Sequence, residues 1–225
     1  MQTGDSPSAI ILSDEFKGFS QQDFRLSPMY RDYIEKILIP NGMIKDRLEK
    51  MAFDILSSVN QRGIIQLTLL CVLKGAYKFA SDLAEKLEHA AVSSNQKLAI
   101  KIAFITASTY VNDKVSHETK LQVCGNPDGL RNQDILIVED LLDTGTTMNT
   151  LYAFLEQFSP RSIELACLLV KRCPGQRCVK PNYIGFEVPN KFIVGYAIDY
   201  NDHFRGLPHI CVVNDEGKQQ FKIRN

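Results

Sequence analysis

A chain of 225 residues suits one domain and is long enough to bury most of the surface its unfolded form exposes. Lysines and arginines number 26, as do aspartates and glutamates, so the formal net charge is zero. No overall field draws such a protein to nucleic acid or to a membrane, and recognition has to be local.

Residues 1 to 27 are polar and mixed, and the first seven are expected to be disordered. Their one apolar cluster, Ile10 to Leu12, has no basic stretch before it and no cleavage pattern, and no run approaches transmembrane length. A soluble, cytoplasmic protein is expected. The cysteines at 71, 124, 167, 173, 178 and 211 form no C-x-x-C pair, and Cys71, Cys167 and Cys211 lie in apolar runs, which favours a reducing compartment. Cys173 and Cys178 flank "PGQR" and read as loop cysteines, since no histidine pair stands at metal-ligand spacing.

From Ile44 the apolar positions Leu48, Met51, Ala52, Ile55 and Val59 keep helical spacing, and Gly63 supplies a stop. "IIQLTLLCVL" (64 to 73) is a dense aliphatic run of the kind found in strands covered on both faces. Tyr77, Ala80, Leu83, Ala84 and Leu87 mark a second helix, and "LAIKIAFI" (98 to 105) a second strand. The polar stretch 109 to 133 is longer than an ordinary connection and predicts a lid or binding loop. Then follow a strand at 135 to 138, a helix at about 146 to 158, and strands at 162 to 170 and 191 to 198. Strands alternating with helices predict an α/β fold with a mostly parallel sheet.

Polar residues follow each buried run: Lys74 and Gly75, then Glu139 and Asp140, then Lys171 and Arg172, then Asp199. In open α/β sheets ligands bind outside the carboxyl ends of the strands, so these groups converge on one rim. Thr144, Gly145, Thr146 and Thr147 precede a helix, and such a turn directs N–H groups and hydroxyls at a phosphate. The G-K-[ST] of a triphosphate-binding loop and the G-x-G-x-x-G of a dinucleotide fold are both absent. Glu139, Asp140 and Asp143 would repel a bare phosphate chain, yet carboxylates suit vicinal hydroxyls and can hold Mg²⁺ through water. A sugar phosphate satisfies both halves: Glu139 and Asp140 accept from ribose hydroxyls while residues 144 to 147 hold a 5′-phosphate.

"LIVEDLLDTGTT" resembles the phosphoribosyl pyrophosphate motif of type I phosphoribosyltransferases. With "IPNGMIKDRLEKMAFDI", "LCVLKGAYKF", "LLVKR" and "NYIGFEVPNKFIVGYAIDYNDHFRGLPHICVVN", the chain is similar to the animal-type hypoxanthine-guanine phosphoribosyltransferases from about residue 10 to its end. The resemblance implies one phosphoribosyltransferase domain over 1–225, with a core at about 44–180 and a small hood from about 8–43 and 181–225. It implies purine salvage: phosphoribosyl pyrophosphate and a 6-oxopurine, hypoxanthine or guanine, give IMP or GMP plus pyrophosphate with Mg²⁺ as cofactor, in a homodimer or homotetramer that involves neither nucleic acid nor membrane.

Carried over by residue, the resemblance makes Asp143 the catalytic proton acceptor near the purine five-membered ring, with Glu139 and Asp140 on the ribose hydroxyls and the amides of Thr144, Gly145, Thr146 and Thr147 on the 5′-phosphate. Lys171 donates to the 6-oxo group, Phe192 stacks on the base and Ile193 offers its backbone to the ring edge. Asp199, with Glu139 and Asp140, holds Mg²⁺, while Arg205, Lys74 and Gly75 grip pyrophosphate and Thr109 and Tyr110 belong to a closing lid. A non-proline cis peptide is implied in the Lys74–Gly75 loop. The chain departs from the family pattern at Thr146 and Gly206, and in "ITASTY" (105 to 110), where charged residues are usual; Thr106 replaces one of them. The other reading these losses raise is a divergent paralogue that binds nucleotide with little or no transferase activity.

Overall fold

A computed structural model describes residues 8–111, 117–173 and 179–223, without the side chains of residues 108–111 and 117–119. Residues 1–7, expected to be disordered, lie outside the described residues, as does Cys178.

The chain starts with β1 (Ile10–Ile11) and β2 (Ile34–Ile39), and then enters α1 (Asn41–Gln61). Pro40, with its fixed φ, precedes the helix and its carbonyl accepts from Ile44, so α1 begins a turn earlier than the apolar spacing indicates. β3 (Gln66–Leu73), α2 (Tyr77–Ser93) and β4 (Ala99–Val111) follow, then β5 (His117–Cys124), β6 (Asp134–Leu142), α3 (Thr146–Glu156) and β7 (Ser162–Lys171). β8 (Tyr183–Val188), β9 (Ile193–Val194), β10 (Ile210–Val213) and α4 (Asp215–Gln220) complete the order.

Seven strands form the large sheet in the order β1-β8-β7-β6-β3-β4-β5, parallel throughout except for the β4–β5 pair. β3 and β6 are buried on both faces, as their aliphatic runs require: α1 and α2 pack on one face, α3 on the other. From β3 the chain first crosses to β4 on one side and later returns as β6 on the other. The crevice at the carboxyl ends of β3 and β6 is therefore the topological switch point, where open α/β sheets place their ligands.

A second, antiparallel sheet of order β2-β10-β9 forms a hood with its own core of Leu26, Ile34, Ile37, Val194, Phe204 and neighbours. Among the described residues, no helix is long and apolar enough to cross a membrane.

Three expectations change. In the stretch from 109 to 133, expected as a lid or binding loop, residues 112–116 lie outside the described residues and the flanks are strand, the end of β4 and β5, paired Thr109 to Thr119 and Tyr110 to Glu118. Lys120 and Gln122 alternate with the partly buried Leu121 and Val123, and this half-exposed antiparallel edge reads as polar in sequence. The run at 191–198 yields only Ile193–Val194, in the hood sheet, because Gly195, Tyr196 and Ala197 turn left-handed at φ 94°, 52° and 80°. The neighbour of β7 is β8, in which Gly185 allows Leu168 O within 2.5 Å of where a Cβ would stand. β1 and β8, drawn from the stretches assigned to the hood, thus pair in the large sheet.

Candidate active site

β6 does not end at Val138. It runs on through Glu139 and Asp140 to Leu142, with Glu139 opposite Cys167 and Leu141 opposite Leu169, so both carboxylates are fixed by the sheet ladder. Glu139 Oε2 is buried and meets no hydrogen-bond partner among the described residues. Burial, then the neighbouring Asp140, pushes the Glu139 carboxyl well above the ordinary carboxylate range. Burial also pushes Asp140 up to about 6, opposed by the backbone N–H groups of Asp140 and Leu141 and by Arg205. A buried carboxylate oxygen without a donor, beside a second acid that burial pushes up, suits a ligand that brings hydroxyls or a hydrated cation.

The β3 end meets this pair directly. The peptide bond between Leu73 and Lys74 is cis, and a Cβ on Gly75 would stand 2.0 Å from Asp140 Oδ2. Only a residue without a side chain lets the loop approach so closely. Lys74 Nζ reaches across to Asp202 Oδ1 at 3.1 Å.

After Leu142 the chain turns through Asp143 and Thr144 into Gly145, which caps α3 from the left-handed region at φ 85°. Glu139 and residues 141–148 line a pocket of about 100 Å³ here. The hydroxyls of Thr144 and Thr146 meet at 3.1 Å, so Thr146 fills its place in the turn with a neutral partner for Thr144. Lys171, the last residue of β7, brings Nζ to 3.6 Å from Asp143 Oδ2. Cys173 Sγ donates to Asp143 Oδ1 at 2.7 Å.

The hood supplies the facing wall. Arg205 donates to Ala197 O at 2.8 Å and pairs with Asp199 Oδ1 at 2.8 Å and Asp202 Oδ1 at 3.0 Å. Asp199 also accepts from the Asp202 N–H at 2.7 Å. Tyr196, Ala197, Asn201, Asp202 and Phe204 all have positive φ, a concentration of uncommon backbone that surrounding contacts must impose. Two such contacts are visible: the Tyr196 hydroxyl donates to Asp82 of α2, and a Cβ on Gly195 would lie 2.0 Å from His209 O. Phe192 is 39% exposed, with its ring T-shaped to Tyr200 at 4.9 Å and the Lys218 ammonium 5.9 Å from its centre. Ile193 lies on β9, the edge strand of the hood sheet.

A phosphoribosyl transferase domain model matches residues 40–201. The chain belongs to the phosphoribosyltransferase family. Hypoxanthine-guanine phosphoribosyltransferase of Schistosoma mansoni is 43% identical over 214 residues, covering 95% of this chain and 75% of that protein. Phosphoribosyltransferase domain-containing protein 1 of Homo sapiens is 40% identical over 216 residues, covering 95% and 94%. The crystal structure of the Schistosoma mansoni protein in complex with IMP superposes with a TM-score of 0.82 at 39% identity, over 96% of this chain and 100% of that one. The fold is the type I phosphoribosyltransferase fold.

Within that fold, Lys74, Gly75, Glu139, Asp140, Asp199 and Arg205 converge at the switch point, and Asp143, residues 144–147 and Lys171 border it. Thr109 and Tyr110 lie on the distal part of β4, and their side chains are outside those described. Thr106 donates to Gln122 O at 3.3 Å, within the β4–β5 pair and not toward the pocket. The sequence reading missed two residues. Asp202 bridges Lys74 and Arg205, and its signal was a second acid three residues after Asp199. Cys173, read as a loop cysteine, lies two residues beyond β7 and donates to Asp143 Oδ1.

Proposed function

We propose that the protein is a purine-salvage transferase that moves a 5-phosphoribosyl group from phosphoribosyl pyrophosphate to hypoxanthine or guanine, giving IMP or GMP and pyrophosphate. The observation that carries this reading is the meeting of Asp143 and Lys171 at 3.6 Å beside the phosphate turn. A general base and a cationic donor so close together match the two edges of a 6-oxopurine. Lys171 donates to the 6-oxo oxygen; adenine would present an amino donor there instead and be disfavoured. Asp143 accepts the proton that leaves the five-membered ring as the glycosidic bond forms. Phe192 stacks on the base, and Ile193 uses its backbone on the ring edge.

On the sugar side, Glu139 and Asp140 take the ribose hydroxyls and Thr144, Gly145, Thr146 and Thr147 the 5′-phosphate, so the reacting carbon is held as positive charge develops on it. Arg205 and Lys74 exchange their carboxylate partners for pyrophosphate, and Gly75 keeps the loop close. The unpartnered buried oxygen of Glu139 fits the acceptor role that a hydrated metal needs. Mg²⁺ would be held by Asp199, Glu139 and Asp140, and would supply charge neutralisation for the departing pyrophosphate. Thr109 and Tyr110, at the outer end of the β4–β5 arm, close over the site and exclude water. The reading extends to a cytoplasmic homodimer or homotetramer.

The test is a steady-state assay with Mg²⁺, phosphoribosyl pyrophosphate and each purine in turn, with Asp143→Asn as control. Turnover of hypoxanthine or guanine and not adenine, reduced about a hundredfold or more by Asp143→Asn, is expected. No turnover with any purine, together with thermal stabilisation by IMP or GMP, would reject catalysis in favour of a nucleotide-binding paralogue.

A further inference from the structure

The segment that leaves β7 keeps strand alternation for two residues beyond the sheet. Lys171 and Cys173 turn toward Asp143, while Arg172 turns the opposite way, to Asp14 at 2.8 Å and Glu187 at 3.3 Å. The Cys173 N–H donates to Lys171 O at 3.2 Å. Anchored by Arg172 on one side and by this turn on the other, the Cys173 thiol has a fixed origin from which its Sγ donates to Asp143 Oδ1 at 2.7 Å.

A fixed donor bears on how Asp143 is oriented. Its side chain is 51% exposed on a turn, where a carboxylate rotates about two torsions unless neighbours hold it. Lys171 addresses Oδ2 and Cys173 addresses Oδ1. When a 6-oxopurine arrives, its oxygen recruits the Lys171 ammonium, and the cation's grip on Asp143 slackens. The thiol remains on Oδ1, leaving Oδ2 to face the ring proton. A thiol is a weak donor, so it fixes the carboxylate's orientation without competing for the proton that has to be accepted.

We propose that Cys173 is a positioning residue that orients Asp143 for proton acceptance. This rests on the reading of Asp143 given above, and the two are separable in one set of proteins: wild type, Cys173→Ala, Cys173→Ser, Asp143→Asn and the Cys173→Ala/Asp143→Asn double variant. Cys173→Ala is expected to lower kcat about three- to tenfold, with the KM for phosphoribosyl pyrophosphate and the Tm unchanged. Cys173→Ser, which keeps a donor, restores most of kcat. In the double variant the effect of Cys173→Ala vanishes, because the group it orients is gone.

An unchanged kcat in Cys173→Ala overturns the proposal, as does an equal loss in the serine and alanine variants, or a loss that persists undiminished on Asp143→Asn. Unchanged kcat in Asp143→Asn itself overturns both this proposal and the base reading beneath it. If no purine is turned over, the affinity for IMP in the same five proteins takes the place of kcat: non-additive effects at the two positions support the orientation, and strictly additive ones overturn it.

Discussion

The two walls of the site hold their charges in opposite conditions. On the β6 wall, Glu139 carries a buried oxygen with no partner, and burial pushes both it and Asp140 upward. On the hood wall every principal charge is answered: Arg205 by Ala197 O, Asp199 and Asp202, and Asp202 also by Lys74 of the β3 loop. The first wall is completed by a ligand that brings donors; the second has to exchange one set of anions for another. Ligand binding therefore relieves a desolvation cost on one side, while on the other it trades exposed ion pairs that each contribute little.

The comparison breaks most readily at Gly75, where the β3 loop lies against Asp140 of the β6 wall. A methyl group there would overlap Asp140 Oδ2, 2.0 Å from the ideal Cβ position, and the loop backbone can yield only by moving Lys74 as well. Gly75→Ala is expected to lower kcat/KM for phosphoribosyl pyrophosphate about tenfold to a hundredfold, the scale of an overpacking cost of about 1 to 3 kcal/mol. If kcat/KM were unchanged, the closeness of loop and carboxylate would have no part in binding.

The hood wall owes its shape to contacts made far away in sequence, and Tyr196 tests that. Its hydroxyl donates to Asp82, which Lys45 and Lys78 also approach at 2.9 and 3.8 Å. Burial pushes the Asp82 carboxyl up, but the Tyr196 hydroxyl and the two lysines outweigh it, and the net displacement is below the ordinary value of 3.8. A carboxyl so lowered contributes stability above its unfolded value, and the contribution is lost as the pH falls through the lower, folded one. Tyr196→Phe removes a hydrogen bond to a charged group, about 1.5 to 3 kcal/mol before allowance for part exposure of the site. Thermal melts at pH 7 are expected to show a Tm lower by about 3 to 8 °C, with the difference from wild type shrinking below about pH 4. A gap that stays constant into acid would dissociate Tyr196 from Asp82.

What could be read from sequence divides along the same line. The β6 wall is local: an aliphatic run, adjacent acids and a glycine turn lie within one short stretch, so strand, rim and phosphate turn follow from period and turn chemistry. Even there the strand end was set too early, because burial of Leu141 and Leu142 against neighbouring strands carries the ladder past two charged residues. The hood wall is not local. Residues 191–198 have the composition of a strand, and what bends them into left-handed backbone is Asp82 on α2 and the His209 carbonyl, which no window around residue 196 contains. The partnership of Cys173 with Asp143 was hidden for the same reason, since the two meet across adjacent strands and thirty positions of chain.

The mildest test concerns Gly206, where the chain lacks a carboxylate that its relatives' pattern places beside Arg205. The hood's internal pairing makes that loss inexpensive. Arg205 already has three acceptors between 2.8 and 3.0 Å, all from the segment just before it. A Cβ built on Gly206 meets nothing within 4 Å, and the residue does not occupy the left-handed region, so an aspartate would enter without strain. It would project into solvent and add one more exposed charge to a network that is already satisfied. Gly206→Asp is accordingly expected to leave Tm within about 1 °C and the KM for phosphoribosyl pyrophosphate within about twofold. A tenfold fall in KM would mean that Asp199 and Asp202 hold Arg205 without aiming it, and that the hood wall is unfinished in this chain where the β6 wall is complete.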